Sequence, residues 1–169
     1  MIFNNKERIT KMNELLKLLE QDAKLTPEML AAMLDKDTGE IENEIKEYEK
    51  DGTIVGYNAL VDWEKTDREY VTALIELKVT PQRDLGFDRV AERIFNYNEV
   101  KSLYLMSGGF DLCVVIEGKT MRDVALFVAE KLATMESVIS TATHFVLRKY
   151  KDKGLVMKRG DVDLRNECE

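Results

Sequence analysis

From Glu7 to Asp22 the apolar residues Ile9, Met12, Leu15, Leu16 and Leu19 recur at steps of three and four, one stripe on a helix. Thr26-Pro27 then reads as a helix start. Threonine is a good N-cap, and proline at the first helical position loses only an N–H that has no partner there. Leu30, Ala31 and Leu34 give a short second helix. Asp35 to Glu40 reads as a turn, with Asp37 and Glu40 at capping-box spacing ahead of a third helix whose inward residues are Ile41, Ile45 and Tyr48. Gly52 ends that helix. Ile54 to Tyr57 and Ala59 to Val61, around Asn58, are short strand-like runs that would make a small β-element. Spacing alone describes either a winged helix-turn-helix or a generic three-helix bundle.

Past the polar stretch Asp62 to Glu69 the period changes. Val71, Ala73, Ile75, Leu77 and Val79 alternate along a strand that stops at Pro81. Phe87, Val90, Ala91, Ile94 and Phe95 return to helical spacing. Val100 to Ser107 and Leu112 to Glu117 read as strands joined by a turn at Gly108-Gly109. Thr120 caps a helix with the stripe Met121, Val124, Ala125, Val128 and Leu132, and Val138 to Tyr150 reads as a long last strand. This βαββαβ order predicts a ferredoxin-like α+β domain with both helices on one sheet face and the other face open for pairing with another subunit. The divisions are then residues 1–62 for the helical domain, 63–69 for a charged and stiff linker, 70–150 for the α+β domain, and 151–169 for a charged tail on which no fold is imposed.

Composition narrows the classes. The 169 residues are 44% hydrophobic, enough for two small cores. No apolar run is long enough to span a membrane, and Met1 to Thr10 lacks the apolar stretch of a secretory signal. Cys113 and Cys168 share no metal or redox spacing, so a reduced, cytoplasmic setting is expected, with no cofactor and no metal. The net charge of −7 is unevenly placed. Residues 1–65 hold 15 Asp and Glu against 9 Lys and Arg, whereas the rest of the chain is close to neutral.

Several strings, in order over about residues 10 to 150, resemble the Lrp/AsnC (feast/famine) transcriptional regulators. Asp51-Gly52-Thr53-Ile54-Val55-Gly56-Tyr57 is similar to the junction between recognition helix and wing. Ser107-Gly108-Gly109-Phe110-Asp111 resembles the glycine turn of the effector domain, and Thr141-Ala142-Thr143 fits its last strand. The resemblance implies a winged helix-turn-helix that binds double-stranded DNA. It also implies small effectors such as amino acids bound between subunits, and homodimers that assemble to tetramers or octamers. It points to Ser107, Gly108, Gly109, Asp111, Thr141 and Thr143 for the effector: glycines admit a ligand carboxylate to backbone N–H groups, Asp111 suits an α-ammonium, and the hydroxyls line the rest. The plainer reading makes Gly108-Gly109 a hairpin turn that Asp111 caps.

For DNA, the polar residues available are Lys36, Thr38, Asn43, Lys46 and Lys50. The third helix departs from the family, with Glu40, Glu42, Glu44, Glu47 and Glu49 against only Lys46 and Lys50. That acidity supports a second class, a metabolite-sensing assembly with weak or lost DNA binding. Some haem-biosynthesis decarboxylases share the layout, which makes an enzyme the third class. The chain reads as a non-enzyme, because His144 is its one histidine, read as a half-buried strand residue, and the sequence carries no nucleophile triad, phosphate loop or metal cluster.

Overall fold

The computed structural model describes residues 14–81 and 86–157. The chain divides into two compact units, 1–60 and 61–169.

In the first unit, helix α1 runs over 14–21, α2 over Pro27–Leu34 and α3 over Thr38–Asp51. Ile9 and Met12 of the predicted first stripe lie outside the described residues. Leu15, Leu19, Leu30, Ala31, Ile41 and Tyr48 form the buried core, so the helical spacing and the packed face coincide. Thr26 caps α2 through Oγ1, which accepts from the Met29 N–H at 3.4 Å. Asp35 takes the left-handed conformation at the end of α2 (φ 53°), and Gly52 does the same after α3 (φ 80°). The capping box at α3 is half made. Asp37 Oδ2 accepts from Gly39 N–H at 2.8 Å, but Glu40 turns to Lys36 instead, 3.9 Å away.

The predicted wing strands are not paired among the described residues: 55–62 carry no ladder, and Val55 is 95% exposed. Two runs of three or four residues lack a third strand to hold them, and Asn58-Ala59 lacks the Asn-Gly pair that favours a tight hairpin.

The second unit opens with a 3₁₀ turn, Trp63–Lys65. The linker packs on its own unit. The Arg68 guanidinium lies 4.4 Å from the Trp63 ring and 5.4 Å from the Tyr70 ring, with Nη2 3.7 Å from Glu117 Oε2. The strands are β1 (Val71–Val79), β2 (Val100–Leu105), β3 (Leu112–Gly118) and β4 (Val138–Phe145), antiparallel in the order β2-β3-β1-β4. Helices α4 (Asp88–Phe95) and α5 (Met121–Phe127) belong to this unit, α5 continuing through a π-turn over Val128–Leu132. Ala73, Ile75, Leu77, Leu112, Val114 and Ile116 meet Val90, Ile94, Val124 and Leu132 in the core. This is the expected ferredoxin-like βαββαβ arrangement.

Two boundaries move. The last strand stops at Phe145 rather than Tyr150, because β1 begins at Val71 and leaves residues beyond Val146 no backbone to pair with. The tail is also partly folded. Strands β5 (Lys151–Asp152) and β6 (Leu155–Val156) pair around Lys153-Gly154, and the Met157 N–H donates to the Tyr150 carbonyl at 3.0 Å. Residues 158–169 of the predicted tail lie outside the described residues.

Candidate DNA-reading and effector sites

On α3 the buried side is Ile41 and Tyr48, with Ile45 partly buried beside them. At 3.6 residues per turn the opposite crest is Gly39, Asn43, Lys46 and Lys50. The glutamates fall on the flanks, Glu42 and Glu49 on one side and Glu40 and Glu47 on the other. The helix is acidic in sum, but its outermost line is not.

The ion pairs divide these residues further. Lys46 Nζ lies 3.4 Å from Glu42 Oε2 on the exposed surface. Lys36 is withdrawn: its side chain is 10% exposed, and Nζ sits 2.6 Å from Glu44 Oε1. Of the five residues proposed for DNA, Asn43, Lys46 and Lys50 are exposed, Thr38 is half-buried in the first turn, and Lys36 faces inward. Sequence spacing missed the Lys36–Glu44 pair, since the two are eight positions apart across a turn. It also missed Tyr57, whose hydroxyl donates to Glu49 Oε1 at 3.0 Å and ties the segment after α3 back to that helix.

In the second unit, Ser107, Gly108 and Gly109 stand exposed between β2 and β3. Gly108 has φ 153°, and nothing lies within 4 Å of where a Cβ would be on either glycine. The Met106 N–H donates to the Asp111 carbonyl at 2.8 Å, and the Asp111 N–H to the Leu77 carbonyl at 2.9 Å. The Asp111 carboxylate is already engaged on one side: Oδ2 accepts from the Val79 N–H at 2.8 Å, where the β1–β4 register slips between Lys78 and Val79. Thr141 pairs with Leu77 and Thr143 with Ile75, so both half-buried threonines share the helix-covered face. Leu77 thus joins the two groups, with Asp111 on its β3 side and Thr141 on its β4 side. The turn and the threonines meet at one end of the sheet, but neither the 360 Å³ cavity between α4 and β2 nor the 780 Å³ cavity around Tyr70 and Thr120 is lined by any of the six.

The other sheet face carries Leu74, Glu76, Tyr104, Cys113, Val115 and His144. Leu74 and Tyr104 are 38% and 54% exposed. His144 is exposed rather than half-buried, with Nε2 3.2 Å from Glu76 Oε1, because β4 is an edge strand. Burial, and then Glu76, pushes the Cys113 thiol above its ordinary range.

The Lrp/AsnC ligand binding domain model matches residues 72–156, which takes in the β5–β6 hairpin. The chain is 49% identical over 156 residues to an HTH-type transcriptional regulator of Bacillus subtilis, YugG, covering 92% of this chain and 94% of that protein. Among solved structures, a transcriptional regulator from Neisseria meningitidis in complex with L-Met superposes with a TM-score of 0.67 at 21% identity, over 84% of this chain and 91% of that one. E. coli AsnC does so at 0.63 and 16%, over 83% and 92%. With the family's domain matched over half of its length and a near relative matched almost end to end, this chain belongs to the Lrp/AsnC family of HTH-type transcriptional regulators.

Proposed function

We propose that this protein is an effector-responsive transcriptional regulator in which the α3 crest reads duplex DNA and the sheet end around Ser107–Asp111 receives an amino acid. The observation that carries the DNA reading is the placement of Asn43, Lys46 and Lys50 directly opposite the buried side of α3. Asparagine is suited to adenine in the major groove, and the lysines to phosphate. For the effector, two open glycines and Asp111 supply donors and a carboxylate, and Thr141 and Thr143 supply hydroxyls. Neither cavity described in this unit is lined by the six, and we assign the remaining wall to a second subunit. The Neisseria regulator is described with L-Met, which supports the ligand class.

We assign a two-fold dimer to the open sheet face, where exposed Leu74 and Tyr104 are suited to burial between subunits, with further assembly to tetramers or octamers. A cytoplasmic setting is part of this reading; no described helix is long and apolar enough to cross a membrane. Catalysis is not, because the family to which the chain belongs is one of transcriptional regulators.

The test is a titration of fluorescent duplex from the protein's own promoter region, with and without a panel of amino acids. Sequence-selective binding that an amino acid alters is the expected result. One observation favours a second reading, a metabolite-sensing assembly with little DNA affinity. Lys36 and Lys46 both have glutamate partners, which leaves Lys50 as the unpaired lysine of the turn and α3 among the described residues. Amino-acid binding without DNA binding at low salt would establish that reading instead.

A further inference from the structure

The β5–β6 hairpin and the residues that lead into it concentrate positive charge in a chain that is otherwise acidic. Arg148, Lys149, Lys151 and Lys153 stand against one acid, Asp152, in a protein of net charge −7. Lys149 is engaged, 4.0 Å from Asp152 Oδ2 and 5.8 Å from the Tyr70 ring. Arg148 stacks at 5.0 Å on Tyr150, which is 72% exposed. Lys151 and Lys153 are exposed and have no ion pair among the described residues.

The turn adds an independent observation. Lys153 and Gly154 form a two-residue loop with φ 43° and 84°. Such a loop favours Asn-Gly, because both residues need positive φ, which a lysine adopts only at a conformational cost. The chain places a cation at the hairpin tip in spite of that cost.

The hairpin and the recognition helix have complementary shortages. DNA affinity comes largely from neutralised phosphates, and α3 with its turn offers one unpaired lysine. We propose that the β5–β6 hairpin, with Arg148 just before it, is a DNA contact in its own right, gripping phosphates through Lys151, Lys153 and Arg148. This rests on the DNA-binding reading above. A two-stranded ribbon is also a shape that the grooves of duplex DNA admit. A second copy of the chain is the competing occupant, since Leu155 and Val156 on the same hairpin are 62% and 68% exposed. Two unpaired lysines, one of them at the strained tip, favour a polyanion over an apolar seat.

The experiment titrates a fluorescein-labelled, mixed-sequence duplex of about four helical turns at several salt concentrations. It uses the full-length protein as wild type, Lys151→Glu/Lys153→Glu, Lys153→Gly and Lys46→Glu/Lys50→Glu, each with light scattering in parallel. The hairpin double variant is expected to bind about tenfold or more weakly, with a log affinity–log salt slope shallower by about 1.8 per bound chain, 0.9 for each lost phosphate contact. Its oligomer size stays unchanged. Lys153→Gly relieves the turn, so it raises thermal stability while weakening DNA binding, which a fold defect cannot imitate. Wild-type binding with an unmoved slope in the hairpin variant overturns this proposal alone. A changed oligomer size assigns the hairpin to a second copy and overturns it too. Wild type and both double variants silent at low salt overturn the DNA-binding reading itself.

Discussion

Lys36 Nζ lies 2.6 Å from Glu44 Oε1, and the pair joins the turn before α3 to the second turn of that helix. Both side chains are largely withdrawn from solvent, at 10% and 22% exposure. One acidic charge of α3 is therefore matched inside the unit and withdrawn from its exposed surface. Glu44 Oε2 and the Tyr48 hydroxyl are buried beside it without hydrogen-bond partners in the structure, and burial, then Glu44, raises the Tyr48 phenol. Lys36→Met strands the glutamate, a loss of about 1.5–3 kcal/mol for a hydrogen bond to a charged group. The swap Lys36→Glu/Glu44→Lys is expected to recover most of it. Hydrogen exchange of the α2–α3 amides reads this unit separately from the other. If Lys36 were a phosphate contact instead, Lys36→Met would shorten the DNA salt slope by about 0.9 and leave those amides protected.

Asp111 serves the sheet through the Val79 N–H, which separates architecture from ligand contact. Asp111→Ala leaves that N–H without its acceptor and is expected to cost about 1–2 kcal/mol of stability. Asp111→Asn keeps an acceptor oxygen and removes the charge. The asparagine variant is expected to fold normally and to bind an amino acid about tenfold more weakly, the loss expected for a charge-assisted hydrogen bond. Calorimetry on both variants checks it, and undiminished binding by Asp111→Asn would leave the residue a purely structural one.

The two glycines of the turn divide by conformation. Gly108 holds φ 153°, so Gly108→Ala strains the backbone by about 1–3 kcal/mol. Gly109 has open space around its missing Cβ and no positive φ. Gly109→Ala is therefore expected to leave the melting temperature unchanged while weakening effector binding, because the methyl group enters space assigned to the ligand. Equal effects on stability and binding in the two variants would make the turn a plain hairpin.

Cys113 gives the pH dependence a definite sign. Its thiol is raised by burial and then by Glu76, so the unfolded chain loses that proton at lower pH than the folded one. The associated stability is complete below the unfolded thiol value and is lost as pH rises through the folded value. In a Cys168→Ser background, iodoacetamide labelling is expected to be slow at pH 8 and faster in Glu76→Gln, which removes the neighbouring charge. Labelling at pH 8 as fast as for an unfolded thiol would contradict this ordering.

Apolar periods and apolar runs were enough to place α3, α4, α5 and, apart from the end of β4, the four strands of the large sheet. Leu15, Leu30, Ile41, Ile75 and Ile94 are buried because each sits on the apolar side that its period defines. The caps at Thr26 and Gly52 were equally legible, since they depend on residues within one turn. The short strings around Gly52, Gly108 and Thr141 carried the family. What sequence could not determine lay in partners distant along the chain. The wing failed to pair and β4 stopped early because a strand needs a neighbouring backbone, which no local pattern supplies. Lys36 turned inward because Glu44 was brought to it across a turn, and Asp111 was drawn into the sheet by a register slip 32 positions away. The described part of the tail, 151–157, folded because Lys153-Gly154 closed a hairpin between residues whose composition reads mainly as charged. Period and capping are local interactions set by each stretch of chain, whereas pairing, ion-pair choice and register are decided by which groups the folded chain brings within reach.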